Sequence, residues 1–317
     1  MKAPALPTPV SLLGLALLVA AAGAALFAKN VYLHEMLILA VVYAQFAASW
    51  DLLCGSTELD NFGHAVFIGG AAYGSALLGR QLDLAPWLSV PIAAVAAGLA
   101  GAAIGALTLR LRGPYFSLAT IAFAAMSYKL AYILSAVTGG EEGLSGLRLF
   151  TPEVATDLLV CLATFSACFL AMQCFKRSRF GLVLRSTRHN EDATVAAGFN
   201  TALYKVLAFS LSGFLAGIGG GMYGHTQMQA NPELLSAGLS VMIVLLATVG
   251  GRGTLVGPAL AAALLTLLGE WLRVIEQYRV VIFTGLLIAL VYLNPAGFAQ
   301  QRRLKQPPSL QREEDAR

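Results

Sequence analysis

The chain has 317 residues, of which 57% are hydrophobic and 12% are charged, and its formal net charge is +4. With a mean hydropathy of +0.71, it is far more apolar than a soluble domain, in which about a quarter of the residues are charged. The composition excludes an ordinary soluble domain, argues against nucleic acid as a partner, and predicts a polytopic integral membrane protein.

Apolar segments suited to crossing a hydrocarbon core of roughly 30 Å recur along the chain and predict an all-α fold. The first, residues 11–27, follows Lys2 and is interpreted as a transmembrane helix, with a cleavable signal peptide as the competing interpretation. Two segments, residues 65–78 and 236–250, are short, so about 8–10 transmembrane helices are expected. The remaining predicted crossings are residues 35–53, 86–109, 113–137, 154–175, 206–223, 255–272 and 280–293.

A polar break, residues 57–64, separates the second segment from the third and contains Asn61 and His64. Polar interruptions at membrane depth are tolerated only where they line a cavity or are buried in protein, and they often mark substrate paths in transporters. An ordinary turn at the membrane surface explains the same residues equally well. A lone histidine is also more often a hydrogen-bonded structural residue than a proton carrier. The break therefore has two open interpretations.

Glycines recur at helical spacing in residues 206–223, where Gly213, Gly217 and Gly221 fall on every fourth position. Small residues on one stripe allow helix backbones to approach closely, so the stripe predicts a helix-packing face. Another glycine-rich stretch, residues 138–146, carries two glutamates. It lacks the lysine and hydroxyl that follow the second glycine of a nucleotide-binding P-loop, so we expect a flexible acidic loop there.

The longest polar interval, residues 176–205, carries a cluster of cations in its first half. Each of them would cost about 2.5–3.5 kcal/mol at the centre of a membrane helix, so the interval is predicted to lie in the cytoplasm. Alternation of the crossings then places Arg252 and both termini on the cytoplasmic side and the acidic loop outside. The cations are Lys176, Arg177, Arg179, Arg185 and Arg188.

A short helix is predicted within this interval. Asn190 fits a helix N-cap, Glu191 and Asp192 suit the positive end of a helix dipole, and Gly198 is a stop signal. Such a helix has only about two turns, and helices shorter than roughly 12–15 residues are marginal in water. It therefore needs a surface to pack against, either a partner protein or the membrane face of its own chain.

The run Glu191-Asp192-Ala193 followed by Gly198 resembles the EAA loop of ABC-importer permeases. The resemblance is to the branched-chain amino acid permease family, which also includes urea and short-chain amide permeases. It extends over residues 43–271, and the ordered set of motifs is more specific than any one of them. The further similar stretches are residues 61–65 (NFGHA), 112–116 (RGPYF), 138–143 (TGGEEG) and 250–258 (GGRGTLVGP).

The chain departs from the family pattern at two places. Asp192 stands where a small or apolar residue is common. The predicted short helix and its stop signal at Gly198 are retained, so coupling to an ATPase is expected to be intact. Asp60-Asn61 replaces a more usual Leu-Ser before the F-G-H run. This second change alters the polarity of a break that is expected to line the translocation path. The identity of the transported solute therefore stays open.

The resemblance implies one transmembrane permease domain, residues 1–300, with a coupling loop at residues 176–205 and a disordered cytoplasmic tail at residues 301–317. Such a chain is a transport subunit of the bacterial inner membrane rather than an enzyme, and both of its termini are cytoplasmic. Its expected partners are a second related permease, two cytosolic ABC ATPase subunits, an extracytoplasmic solute-binding protein, the lipid membrane and a small-molecule substrate. No cofactor is expected in this chain, because ATP and Mg²⁺ are used by the ATPase subunits.

Roles for individual residues also follow from the resemblance. The coupling helix that enters a cleft on an ATPase is expected to include Arg185, Arg188, Glu191, Ala193 and Gly198. The candidate positions along the translocation path are Asn61, His64, Thr138, Gly139 and Gly140. No catalytic or metal-binding residue is expected, because the sequence has no P-loop, no H-E-x-x-H and no G-x-S-x-G.

The expected function is import of branched-chain or related amino acids, with urea or short-chain amide import as an open alternative. A self-sufficient secondary transporter or channel is a further alternative. Such proteins usually have membrane-embedded ionisable groups for coupling, and the predicted crossings hold few of them.

Overall fold

The structure is a computed structural model that describes residues 30–109, 111 and 113–275, together with residues 285, 288–290 and 292. The first predicted crossing, most of the last one and the tail lie outside the described residues. The α-helices are, in chain order, α1 Val31–Thr57, α2 His64–Leu82, α3 Pro86–Thr108, α4 Pro114–Ile133, α5 Ser135–Thr138, α6 Val154–Arg177, α7 Arg179–His189, α8 Glu191–Ala196, α9 Thr201–Thr226, α10 Ala237–Gly250 and α11 Val256–Trp271.

The other regular elements of the described chain are two short strands and two 3-10 helices. Strands β1 (Leu144–Ser145) and β2 (Gln229–Ala230) pair antiparallel, in the one strand pairing of the described chain. Two 3-10 helices cover Pro232–Leu235 and Leu272–Ile275.

Five helices, α1, α3, α4, α6 and α9, are long and apolar enough to cross a membrane. The apolar helices α10 and α11 are shorter, with 14 and 16 residues. Because a helix rises about 1.5 Å per residue, α10 spans only about 21 Å and does not cross a hydrocarbon core of roughly 30 Å by itself. The prediction of an all-helical polytopic membrane protein is confirmed, and α10 is a partial helix.

Several predicted boundaries move, because helices extend into polar sequence. α6 continues to Arg177 and α9 begins at Thr201, so residues 178–200 alone connect them. α1 likewise continues through Gly55, past its predicted end at residue 53. Gly55 does not end the helix because it is packed: an added Cβ would lie 2.6 Å from the Cα of Gly253. Tertiary contact here overrides the low helix propensity of glycine.

α9 is the centre of the described bundle and packs against α1, α2 and α3. The predicted glycine stripe lies on the side of α9 that faces α3. Side chains at Gly213 and Gly217 would press on Ala97, and a side chain at Gly221 would press on Val90. Small residues at such positions allow two helix backbones to approach closely.

Gly220 makes a still closer contact, because an added Cβ would overlap the carbonyl oxygen of Ile68 in α2. Gly220→Ala is therefore expected to destabilise the protein by about 1–3 kcal/mol, the usual cost of overpacking. Gly70→Ala is the matched control, since no atom lies within 4 Å of its added Cβ. Thermal melting of the detergent-solubilised chain, followed by size-exclusion chromatography, measures the difference. Equal melting temperatures for the two variants would contradict this packing.

Two helices begin inside the bundle rather than at its ends. α2 begins at His64, whose Nε2 lies 3.0 Å from Ser49 Oγ of α1. Ser49 lies eight residues, or about 12 Å, before the end of α1. α10 begins nearby, because the backbone N–H of Ala65 donates to Ser240 Oγ at 2.9 Å. We call the place where α2 and α10 begin the broken-helix junction, and residues 58–63 turn back along α1 to reach it.

The bundle has two chemically different ends. The end that we call the basic end brings together Lys176, Arg188 and Arg252, which contact the C-terminal part of α1 and the segment after it. At the opposite, acidic-loop end, residues 139–153 pack near β2, and Arg148 forms an ion pair with Asp83 at 2.7 Å. This grouping is the one expected from the alternation of the crossings.

Candidate functional site

The segment between α6 and α9 forms two short helices at the basic end. The hydroxyl of Ser178 caps the N-terminus of α7. The apolar side chains of Val183 and Leu184 in α7 are buried against the bundle. We did not predict α7 as a helix. The apolar residues Phe180, Val183 and Leu184, at positions i, i+3 and i+4, are the helical signal that would have revealed it.

The second short helix, α8, has the predicted start and end. Asn190 Oδ1 accepts a hydrogen bond from the backbone N–H of Ala193 at 2.9 Å. Gly198 follows the helix with a φ of +89°, a conformation that glycine adopts without strain. Within α8 only Thr194 is buried, and its Oγ1 lies 2.8 Å from Ser186 Oγ of α7. α7 and α8 are therefore tied to each other.

The predicted coupling side chains bond to their own chain. Arg188 donates from Nε to Glu58 at 2.8 Å and from Nη1 to the carbonyl oxygen of Gly55 at 2.9 Å. Glu191 accepts from Lys205 Nζ at 2.6 Å and from Thr201 Oγ1 at 3.1 Å. These contacts hold α7 and α8 against α1 and α9.

The three other predicted coupling residues differ in their contacts. Arg185 donates to the carbonyl oxygen of Lys176 at 2.9 Å. Ala193 and Gly198 are exposed. The structure thus separates the predicted coupling set into side chains that anchor the segment and small residues on its outer surface.

An apolar surface lies on the exposed side of this segment and at the start of α9. Its four large hydrophobic residues are each at least 43% exposed. We call it the coupling surface, and it consists of Leu182, Val195, Phe199 and Leu203. Large exposed apolar patches rimmed by polar residues mark sites of contact with a protein partner or with a membrane surface.

Behind the coupling segment lies a buried carboxylate that sequence reasoning missed. Asp51 of α1 is fully buried and accepts backbone hydrogen bonds from Gly253 and, at 2.8 Å, from Leu255. Lys176 Nζ lies 3.8 Å from the same carboxylate and donates to the carbonyl oxygen of Gly253 at 2.8 Å. Asp51 therefore joins α1, the end of α6 and the α10–α11 loop.

A second polar cluster connects the α10–α11 loop to the broken-helix junction. Arg252 donates to Asp60 at 2.8 Å, and its guanidinium lies 5.5 Å from the ring centroid of Trp50. The indole N–H of Trp50 donates to the carbonyl oxygen of Asn61 at 2.8 Å. Together with the bonds of Arg188 to Glu58 and Gly55, these contacts link α7 to the junction.

The junction holds two of the candidate path residues, and both are buried. Asn61 Oδ1 accepts from the backbone N–H of Gly63 at 2.8 Å, whereas its Nδ2 is buried without a hydrogen-bond partner among the described residues. His64 bonds to Ser49 through Nε2, and within the same part of the chain its Nδ1 is also buried without a partner. Buried polar atoms normally have partners, so these two require an explanation.

The other candidate path residues lie elsewhere. Thr120 of α4 contacts the junction through a 3.1 Å bond from the N–H of Phe62, and α4 then rises for about 20 Å to its end at Ile133. Thr138 and the glycines that follow it, Gly139 and Gly140, lie beyond that end. They form a tight turn with positive φ angles at the acidic-loop end. The structure does not bring them together with Asn61 and His64.

A further carboxylate lies next to α4. Glu233 is exposed in the 3-10 helix Pro232–Leu235 and accepts a hydrogen bond from Tyr128 Oη of α4 at 3.2 Å. Tyr128 Oη also lies 3.0 Å from Tyr132 Oη. Sequence reasoning passed over Glu233, although it is the one acidic residue of the linker at residues 225–235.

Comparison with known proteins gives consistent matches over most of the chain. The family described as "Branched-chain amino acid transport system / permease component" matches residues 32–291. The chain is 25% identical to the high-affinity branched-chain amino acid transport system permease protein LivM of Escherichia coli K12, over 85% of this chain and 70% of the relative. It is 24% identical to LivM of Salmonella typhimurium over the same shares. No solved structure matches the chain.

Proposed function

Because the chain belongs to the family of permease components of branched-chain amino acid transport systems, we propose that it forms part of the membrane path of an ATP-binding-cassette importer. As a permease component it is a transport subunit and not a catalyst. The proposed solute is a branched-chain or related amino acid, delivered by an extracytoplasmic solute-binding protein. A second related permease completes the path, and two cytosolic ATPase subunits bind ATP and Mg²⁺.

We place the basic end in the cytoplasm of a bacterial cell. The cations of the segment between α6 and α9 support this orientation, because positive residues in short loops are retained on the cytoplasmic side. The acidic loop at residues 139–153 then faces the solute-binding protein, and both termini are cytoplasmic. A cysteine introduced at an exposed loop position on each side, labelled in intact cells with a thiol reagent that does not cross the membrane, reports the orientation directly.

The observation that carries the proposal is the combination of anchoring and exposure at α7 and α8. Arg188 and Glu191 bond the segment to α1 and α9, while the coupling surface faces outward. A helix as short as α8 is not stable alone, so its attachment to the bundle makes it a rigid element. A rigid element with an apolar outer surface is suited to transmitting the movement of a cytosolic ATPase.

The contacts behind α7 supply the next step of the proposed mechanism. Movement of α7 displaces Arg188 and with it the end of α1 at Gly55 and Glu58. The segment after α1 carries Asp60 and Asn61 into the broken-helix junction. ATP-driven closure of the ATPase subunits would thus tilt the helices that meet at the junction and switch the path between inward and outward access.

The junction is the proposed inner part of the path. Broken helices at membrane depth often adjoin the solute path of a transporter. The Nδ2 atom of Asn61 and the Nδ1 atom of His64 are buried without partners in this conformation, so a solute would reach them once the helices that meet here have tilted. Hydrogen bonding to a passing solute accounts for two buried polar atoms that otherwise lack partners. Thr138, Gly139 and Gly140 would act at the outer mouth of the path and not at the junction.

Co-purification tests the proposal. Val195→Glu is expected to remove most of the ATPase that co-purifies with the solubilised permease, because it buries a charge in the proposed apolar contact. Val137→Glu is the matched control, since Val137 is 45% exposed but lies at the acidic-loop end. If no stoichiometric ATPase accompanies the wild-type chain, the importer function is wrong. If both variants retain the ATPase equally, the coupling surface is not where the ATPase binds.

A further inference from the structure

The cations at the basic end fall into two groups. Those of the first group form ion pairs with acidic residues of their own chain. These pairs are Lys176–Asp51, Arg188–Glu58, Lys205–Glu191 and Arg252–Asp60. Arg179 and Arg185 of α7 belong to the second group, because neither forms an ion pair with a described residue. The acids that pair with the first group are therefore not shared with these two arginines.

The exposed side of α7 combines the two arginines with one large apolar side chain. Leu182, which is 64% exposed, lies three residues after Arg179 and three residues before Arg185. Residues at this spacing lie on the same face of a helix. The side chains of Val183 and Leu184 are buried on the opposite side. We call the exposed side the outer face of α7, and it consists of Arg179, Leu182, Arg185, Ser186 and His189.

The outer face of α7 continues the coupling surface. Ser186 Oγ lies 2.8 Å from Thr194 Oγ1, so this face reaches α8. Arg179 lies seven residues before Ser186, or about 10 Å along the helix. Leu182 belongs to both surfaces. A partner that covers the coupling surface at α8 is therefore within about 10 Å of both arginines.

The chemistry of this face favours a protein partner over a lipid surface. A helix that lies in a membrane interface turns a broad apolar face toward the acyl chains. Within Arg179–His189, all of which the structure describes, Leu182 is the one large apolar side chain that is exposed. Protein interfaces, in contrast, combine apolar anchors with arginine, which is enriched there over other surface residues.

The position of Arg185 is partly fixed before any partner binds. Its Nη2 atom donates to the carbonyl oxygen of Lys176 at 2.9 Å. A guanidinium group has five N–H donors, so donors are left for a carboxylate. A side chain that is already held loses less conformational entropy on binding. Asp192, the exposed acid at the start of α8, forms no ion pair with either arginine in the described chain.

We infer that the outer face of α7 binds an acidic surface of the cytosolic ATPase, with carboxylates paired to Arg179 and Arg185 and an apolar contact at Leu182. The inference rests on the proposed function and names the chemistry of the partner at that site. The ATPase is held by an apolar contact at α8 and by a charged contact at α7. Charge pairs across an interface accelerate association, and salt weakens them.

Binding of the purified ATPase subunit to the two permeases, reconstituted together in phosphatidylcholine nanodiscs, tests the inference. The affinity of the wild-type complex is expected to fall as the salt concentration rises. The double variant Arg179→Gln with Arg185→Gln is expected to bind the ATPase about tenfold more weakly at low salt. It should also lose most of the salt dependence, because two charge pairs are removed. Arg179→Lys with Arg185→Lys keeps both charges and should retain the salt dependence.

Arg80→Gln is the matched control, since Arg80 is an exposed cation in the last turn of α2 at the acidic-loop end, and it should leave the affinity unchanged. If the double glutamine variant binds the ATPase with wild-type affinity and salt dependence, the inference is wrong while the importer function stands. A loss of affinity that occurs only in nanodiscs containing phosphatidylglycerol would show that this face contacts anionic lipid, and it also overturns the inference. Wild-type permeases that bind no ATPase contradict the proposed function itself.

Discussion

Asp51→Asn is expected to lower the melting temperature of the solubilised protein by roughly 10 °C. The native carboxylate is fully buried and accepts from two backbone N–H groups with different oxygens, Oδ1 for Gly253 and Oδ2 for Leu255. An asparagine offers only one acceptor oxygen, so one backbone N–H would face an NH₂ group. Lys176 would also lose its carboxylate partner. Breaking a buried ion pair by removing one partner costs about 3–5 kcal/mol.

Asp192→Asn is the matched control for this experiment. Asp192 lies exposed in the first turn of α8, where loss of the charge removes about 0.3–1 kcal/mol of favourable interaction with the helix dipole. Melting is followed by fluorescence-detected size-exclusion chromatography in one detergent and at one pH. If the two variants melt within about 1 °C of each other, the three-way attachment at Asp51 contributes much less than its geometry indicates.

Reversing the charge of Glu191 is expected to reduce solute uptake by about tenfold or more. Glu191→Lys places a cation beside Lys205 in place of the 2.6 Å ion pair and puts a positive charge at the start of α8, where the helix dipole opposes it. The short helix would leave its position on α9. Uptake by the complete transporter in proteoliposomes, together with ATPase activity stimulated by the loaded solute-binding protein, measures the loss of coupling.

The exchanged pair Glu191→Lys with Lys205→Glu separates positioning from direct contact. Since the exchange restores the ion pair but not the dipole interaction, we expect it to recover most of the uptake lost in Glu191→Lys. Lys205→Glu alone should be as inactive as Glu191→Lys. If the double variant is no better than the single ones, Glu191 does not act by positioning α8 through Lys205.

Features that depend on local sequence could be predicted. The N-cap at Asn190 and the stop at Gly198 need only a few neighbouring residues, and both lie where the sequence indicated. The glycine break at residues 250–253 separates α10 from α11 for the same reason. Turn and cap chemistry is read from adjacent positions, so it does not require knowledge of the fold.

Features that depend on distant pairing could not be predicted. Asp51 is 202 residues from Gly253, and nothing near it in the sequence identifies a partner. The donor to Ser240 at the broken-helix junction is 175 residues away. Motif resemblance also grouped Thr138 with Asn61 as path residues, although α4 separates them by about 20 Å. Resemblance orders residues along the chain but does not give distances across the bundle.

The long separation between Asp51 and its partners has a consequence for biosynthesis. α1 enters the membrane with this carboxylate unpaired, and Lys176 is translated 125 residues later, followed by the α10–α11 loop at Gly253. At about 5–20 residues per second, the backbone donors appear roughly 10–40 s after Asp51. The nascent chain must therefore shelter an acidic α1 from lipid until its last helices are inserted, and truncated chains that end before Gly253 should be prime targets for membrane proteolysis.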